Sequence, residues 1–279
     1  AMGAHTFGWM LTGRYPWLAA GVVALDWYLV NLLNRVVDVP EDRINAIPGA
    51  QWADRHARSI TTAGLGTLAF SLAAVHVVEP SLTPLRLGYH LLGVAYNWRI
   101  LPGGRRLKEL YVLKNVASAL GFIITVFGYP LATAGWSLAD APPDIVPATV
   151  AIAAAWFFLF ELSYEVIYDL RDIAGDKAAG VRTFPVVHGP RGASRIIDAL
   201  IAASLLILTA GWIGGLAPWR LFVMGLAPLL QLILYKRWLR RPTGMSSADC
   251  VAITWMGAGL LACWHLWNLA GLPGAAPAA

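Results

Sequence analysis

Charge is scarce in this chain. Of its 279 residues, 13% are Asp, Glu, Lys or Arg and 58% are hydrophobic, with a mean hydropathy of +0.59. A soluble domain carries about 25% charged residues, so a water-soluble globule is excluded and an integral membrane protein is expected. Cysteine is nearly absent too. Cys250 and Cys263 are the only two, and they lie too far apart along one expected helix to reach disulfide geometry. The six His are scattered without zinc spacing. There is no aromatic–basic interleaving and no nucleic-acid motif, so no nucleic-acid partner is expected, and the net charge of +5 needs another cause.

What the chain does have is long apolar runs. About 20 apolar residues suffice to cross a bilayer as a helix, and eight such spans are expected, at about 16–34, 59–79, 82–101, 112–133, 145–168, 194–214, 218–238 and 248–270. The connections around 35–58, 99–114, 169–195 and 236–241 hold all but three of the 21 Lys and Arg, the exceptions being Arg14, Arg86 and Arg220. Basic connections stay on the cytoplasmic side, which explains the net charge. The expected fold is all-α: a multi-pass transmembrane helix bundle around a central cavity. It forms a single domain over 1–279 in two pseudo-equivalent halves, about 16–135 and 145–270. Each half opens with a span that ends in an acidic cluster.

Those clusters carry the functional signal. The first runs Asn34-Arg35-Val36-Val37-Asp38-Val39-Pro40-Glu41-Asp42, and the second Asp169-Leu170-Arg171-Asp172-Ile173-Ala174-Gly175-Asp176. Residues three or four apart share a helical face, so the oxygens of each cluster stack on one side. Such hard donors suit Mg²⁺ rather than a soft metal. Two clusters facing each other would hold two or more Mg²⁺ ions and, through them, a diphosphate. A lone acidic loop is more often a solvated helix end; two on one side of the membrane favour the metal.

A leaving diphosphate also calls for cationic donors. Lys108 is the first candidate, with Arg105, Arg106 and Lys114 in the same loop, Lys177 and Arg182 after the second cluster, and Arg43 after the first. The plain alternative for each is a topological charge. Three carboxylates fall inside spans: Asp26, Glu161 and Glu165. Glu165 lies one turn below Asp169 and Glu161 one turn deeper. Charges at that depth usually face an interior site, where they position an acceptor, act as a base or stabilise a cation. The alternative is a hydrogen-bonded packing carboxyl, the reading preferred for Asp26.

On these residues the sequence resembles the UbiA superfamily of intramembrane prenyltransferases. The first family signature, Asn-Asp-x-x-Asp-x-x-x-Asp, is matched at Asn34, Asp38 and Asp42, with Arg35 in place of its first Asp. The second, Asp-x-x-Asp-x-x-x-Asp, is complete at Asp169, Asp172 and Asp176, and Lys177 to Gly189 is similar to the usual continuation. The resemblance implies that Asn34, Asp38, Asp42, Asp169, Asp172 and Asp176 bind Mg²⁺. It also implies substrate contacts from Asn34, Arg35, Arg43, Lys108, Lys177 and Arg182, and catalytic roles for Asp38, Asp42, Asp172, Asp176 and Glu165. The implied reaction moves an isoprenyl group from a prenyl diphosphate to a lipophilic or aromatic acceptor among the membrane lipids, with the active-site loops cytoplasmic. A terpene cyclase of the same superfamily would share the ionisation step, and a transporter or lipid-binding protein would use the carboxylates without bond cleavage. Family members usually have nine spans, with the first motif after the second span. Here the motif follows the first, so the family's first helix is expected to be missing, residues 5–14 being too short to replace it.

Overall fold

The structure is a computed structural model that describes residues 1–241 and 244–271. Helix α1 (Met2–Thr12) turns at Gly13 into α2 (Trp17–Val37), and two short helices, α3 (Val39–Ile44) and α4 (Ala50–Arg55), lead into α5 (Ala57–Val78). After α6 (Thr83–Asn97) comes a loop with a 3₁₀ turn at Leu107–Glu109. Next, α7 (Leu113–Phe122) runs through a π-helical stretch, Ile123–Gly128, into α8 (Tyr129–Thr133). The second part holds α9 (Pro147–Ala178), α10 (Phe184–Ile213), α11 (Trp219–Phe222), α12 (Leu226–Leu239) and α13 (Ser247–Leu269). No β-strand occurs among the described residues.

Among the described residues, seven helical segments are long and apolar enough to cross a membrane, α7–α8 and α11–α12 each counting as one. They form the all-α bundle expected from the sequence, with one difference. The third expected span, 82–101, is the 15-residue α6, which begins with Pro84 in its first turn and stops where Trp98 turns extended. At 1.5 Å per residue it covers about 22 Å, short of the ~30 Å hydrocarbon core. At the other extreme, the 32 residues of α9 carry the second acidic cluster on the same rigid rod as the span itself.

Residues 2–12 are not long enough to cross the bilayer, yet they are helical and deeply packed. Phe7, Met10 and Leu11 are almost fully buried and share a core cluster with Phe127, Trp156 and Phe157. Gly8 makes the fit possible: a Cβ there would stand 2.5 Å from Pro16 and 2.7 Å from Pro130. Helix α1 thus closes the bundle at the end opposite the acidic clusters.

Two of the three basic residues outside the basic connections, Arg86 and Arg220, are buried. Arg86 grips Asp26 with two hydrogen bonds, Nη2 to Oδ1 at 2.6 Å and Nε to Oδ2 at 3.0 Å, and Tyr129 Oη donates to the same carboxylate at 2.8 Å. The remaining Arg86 donors reach Ser71, so the group joins α2, α5, α6 and α8. Arg220 forks onto Asp144 while its carbonyl accepts from the Trp264 indole at 2.6 Å. A buried charge persists only when paired and hydrogen-bonded, and both are. Arg14, paired with Asp140, is then the exposed basic residue of that face among the described residues.

Candidate functional site

Three elements deliver the acidic residues to one place. Helix α2 carries Asn34 and Arg35 in its last turn and ends on Asp38, whose backbone N–H closes onto Asn34 O. Pro40 starts α3 rather than scattering the chain, and Glu41 and Asp42 fall in its first turn, where the helix dipole favours negative charge. Helix α9 brings Glu165, Asp169, Asp172 and Asp176 along one face. The end of α3 is tied to α9 by Asn45, whose Oδ1 accepts from the Gly175 N–H at 2.8 Å. A Cβ at Gly175 would lie 2.3 Å from the Asn45 amide, so this contact needs glycine between Asp172 and Asp176.

The result is a cavity of about 410 Å³ into which Asn34, Asp38, Asp42, Asp169, Asp172 and Asp176 all face, together with Arg35, Lys108 and Glu165. Each motif carboxylate has a cation. Lys108, almost fully buried, bonds Asp38 and lies 3.6 Å from Glu41. Arg35 Nη1 donates to Asp42 at 2.9 Å, Lys114 Nζ reaches Asp169 at 2.7 Å and Asp176 at 3.1 Å, and Arg171 forks onto Asp172 at 2.6 and 2.5 Å. Asn115 adds a bond to Asp169 at 2.8 Å, and Ser118 donates to Glu165 at 2.7 Å. Burial pushes the Asp42 carboxyl above its ordinary range despite the hydrogen bond and charge of Arg35, with Asp38 and Asp172 pushing the same way. Burial opposes ionisation at Glu41 as well, but Lys108 and Arg106 outweigh it and hold that carboxyl below its usual range.

With these pairings, no three acidic, His or Cys side chains among the described residues converge to hold a metal ion. The donor set nevertheless fits a hard divalent cation. It consists of carboxylate oxygens from two opposed helices plus Asn34 Oδ1, which is buried on the cavity wall with no hydrogen-bond partner.

Three cations expected near the diphosphate lie elsewhere. Arg43, one residue past Asp42, is rotated off the cavity face and pairs with Asp54, both half exposed. Lys177, next to Asp176 on α9, is exposed and does not line the cavity. Arg182 sits in the following loop with its guanidinium 5.8 Å from the Tyr111 ring. Residues that the spacing did not single out take part instead: Arg171, Glu41, Asn45, Tyr96 and Ser118 all line the cavity. Arg171 and Glu41 stand inside the two motifs, so the motif strings themselves were the available signal.

A second cavity, about 500 Å³ and largely apolar, lies deeper in the bundle. Trp27, Phe122 and Tyr164 belong to the walls of both, so the two adjoin there. Trp156, Phe157, Phe160 and Trp264 line the deeper one.

The model of the UbiA prenyltransferase family matches residues 2–257. The chain belongs to the UbiA prenyltransferase family. Among relatives, it is 28% identical over 208 residues to the digeranylgeranylglyceryl phosphate synthase of Methanothermobacter thermautotrophicus, covering 72% of this chain and 65% of that protein. The chain thus spans just under two thirds of that relative's length. It is 30% identical over 215 residues to the polyprenyl transferase eriF of Hericium erinaceus, covering 75% of this chain and 67% of that one. A solved structure of a UbiA homolog from Archaeoglobus fulgidus bound to GPP and Mg²⁺ superposes with a TM-score of 0.67 at 20% identity, covering 95% of this chain and 93% of the other. That likeness is one of fold, and it shows this UbiA family member to share the family's architecture across nearly its whole length.

Proposed function

We propose that this UbiA family member ionises a prenyl diphosphate with Mg²⁺ and transfers the isoprenyl group to a lipophilic acceptor inside the membrane. The observation that carries the reading is the junction of two cavities: a polar one walled by both acidic motifs and an apolar aromatic one, meeting at Trp27, Phe122 and Tyr164. A diphosphate ester has that same division, a trianionic head and a hydrocarbon tail. The named activities of the archaeal and fungal relatives, and the GPP and Mg²⁺ bound by the solved homolog, support the same chemistry.

In this reading Asn34, Asp38, Asp42, Asp169, Asp172 and Asp176 hold Mg²⁺, which would neutralise charge building on the leaving diphosphate. Lys108, Lys114, Arg35 and Arg171 already pair with those carboxylates. With metal held by those carboxylates, these cations would be free to donate to phosphate oxygens, the planar Arg side chains in two-point fashion. The aromatic chamber keeps water from the allylic cation and presents π faces to it. The segments 16–135 and 145–270 serve as two halves, each contributing one motif, with the site on the cytoplasmic face where the basic loops gather. Arg43, Lys177 and Arg182 act there as orienting charges.

The test is incubation of the purified chain with Mg²⁺ and prenyl diphosphates of several lengths, with acceptors present or omitted, followed by mass spectrometry and a diphosphate assay. Release that needs both metal and acceptor is the expected result. Acceptor-independent release with a cyclised hydrocarbon would make the chain a cyclase, and no release at all would leave ion coupling or lipid binding.

A further inference from the structure

At the end of the bundle that carries the acidic motifs, α10 and α12 are tied together away from the site. Lys236 Nζ donates to Asp198 at 2.5 Å and to Ser194 Oγ at 3.0 Å, and Tyr235 Oη donates to the same carboxylate. Four arginines flank this tie, Arg191 and Arg195 on α10 and Arg237 and Arg240 at the end of α12. All four are exposed, and among the described residues none has an acceptor, whereas the neighbouring Arg241 has Asp249. Past its kink at Gly189, α10 is regular, and helix geometry turns the four the same way. Helix α10 runs away from this end and α12 runs toward it. Arg195 and Arg237, one step past the contact residues Ser194 and Lys236, are therefore each rotated by about 100° to the same side of the pair. Arg191 and Arg240, one turn nearer the end of the bundle than those contacts, lean over the groove on that side.

Each pair of arginines also caps an exposed apolar stripe. On α10 the line of Arg191 and Arg195 continues, at helical spacing, through Ala199, Ala202, Leu206 and Ile213. On α12 the line of Arg237 continues backwards through Ile233, Leu230 and Leu226. The positive-inside rule accounts for the side of the membrane on which these arginines lie. It does not account for four guanidinium groups without acceptors converging on one groove at the head of two hydrocarbon stripes. We propose that this groove between α10 and α12 holds an anionic phospholipid, its phosphate on Arg191, Arg195, Arg237 and Arg240 and its acyl chains along the stripes. Planar guanidinium groups match phosphate oxygens two at a time, and basic clusters at the membrane surface draw anionic lipid. The adjoining stripes select a lipid over free phosphate. The proposal needs only the bundle's place in a bilayer and stands apart from the transferase reading.

The test titrates the full, detergent-purified chain with phosphatidylglycerol and phosphatidylcholine of identical acyl chains and counts bound lipid by native mass spectrometry. The expected result is a preference of about tenfold or more for phosphatidylglycerol, weakening as salt is raised. Arg191→Gln/Arg240→Gln should lower the affinity for phosphatidylglycerol by about tenfold and leave that for phosphatidylcholine where it was. Arg55→Gln/Arg58→Gln removes the same charge from exposed positions on α4 and α5 and should keep the wild-type preference. Equal binding of the two lipids by the wild type, no loss in the first variant, or equal losses in both would overturn the proposal. If the first variant no longer elutes as a folded species, Arg191→Lys/Arg240→Lys decides, since it keeps the charge and removes the planar fork. A several-fold weaker hold on phosphatidylglycerol then supports the site, and wild-type affinity refutes it. Inorganic phosphate at the same concentration as the lipid should displace none of it; displacement would make the groove a phosphate site and overturn its assignment to a lipid. No arm reads diphosphate release, so failure of the transferase reading appears separately.

Discussion

At the residue scale, Arg35 is where this chain departs from the family signature, and its position gives the departure a consequence. The side chain is half exposed, lines the cavity and holds Asp42 at 2.9 Å. Arg in place of Asp exchanges a potential metal ligand for a fixed positive fork. Arg35→Ala should therefore raise the KM for prenyl diphosphate by about threefold to tenfold, the loss of one charge-assisted bond. Arg35→Asp should lower the Mg²⁺ concentration needed for half-maximal rate; steady-state titrations of both ligands check the pair. Asp38→Ala and Asp172→Ala, which remove oxygens from opposite walls, should each abolish turnover while the detergent-solubilised protein still elutes as a folded species. Turnover surviving in excess chelator would contradict the metal reading altogether.

At the scale of elements, the site depends on how closely α3 approaches α9, and Gly175 sets that distance. Gly175→Ala should push Asn45 away and separate the two motifs, so we expect the apparent affinity for Mg²⁺ to fall several-fold with thermal stability shifted by no more than about 1–2 kcal/mol. A variant with unaltered Mg²⁺ titration would show that the Asn45 contact does not govern the site. The helices and the two acidic faces were legible from sequence because each has its own signal, long apolar runs for the spans and a four-residue carboxylate spacing for the faces. Cations have no such periodicity. Lys108, Arg43 and Lys177 look alike in a basic loop, and only the 3₁₀ turn at Leu107–Glu109 and the rotation of each helix decide which one enters the cavity. Glu161 and Glu165 were visible as costly charges in spans, but Gln231, neutral and unremarkable in an apolar helix, gave no sign of its unpaired oxygen.

For the whole molecule, the distribution of basic residues becomes more one-sided once Arg86 and Arg220 are known to be buried pairs. Cysteines placed at Gly104 and Gly180, in a background lacking Cys250 and Cys263, should react with an impermeant maleimide from the same side, and Asp140→Cys from the opposite one. Opposite labelling of the first two would refute both the topology and a shared metal site. The Asp26–Arg86 pair also bears on how the protein is made. On insertion scales an Asp near the middle of a span costs about 2.5–3.5 kcal/mol; Asp26 falls midway along α2, and its partner Arg86 in the first turn of the short α6. Neither helix is well suited to enter lipid alone. The nascent chain is best served by keeping α2 at the translocon until α5 and α6 have emerged, so that the three leave for the bilayer as one neutral unit. Asp26→Asn, which strands Arg86, should then lower membrane yield and increase degradation of young chains, and a paired Asp26→Asn/Arg86→Met replacement should restore much of both.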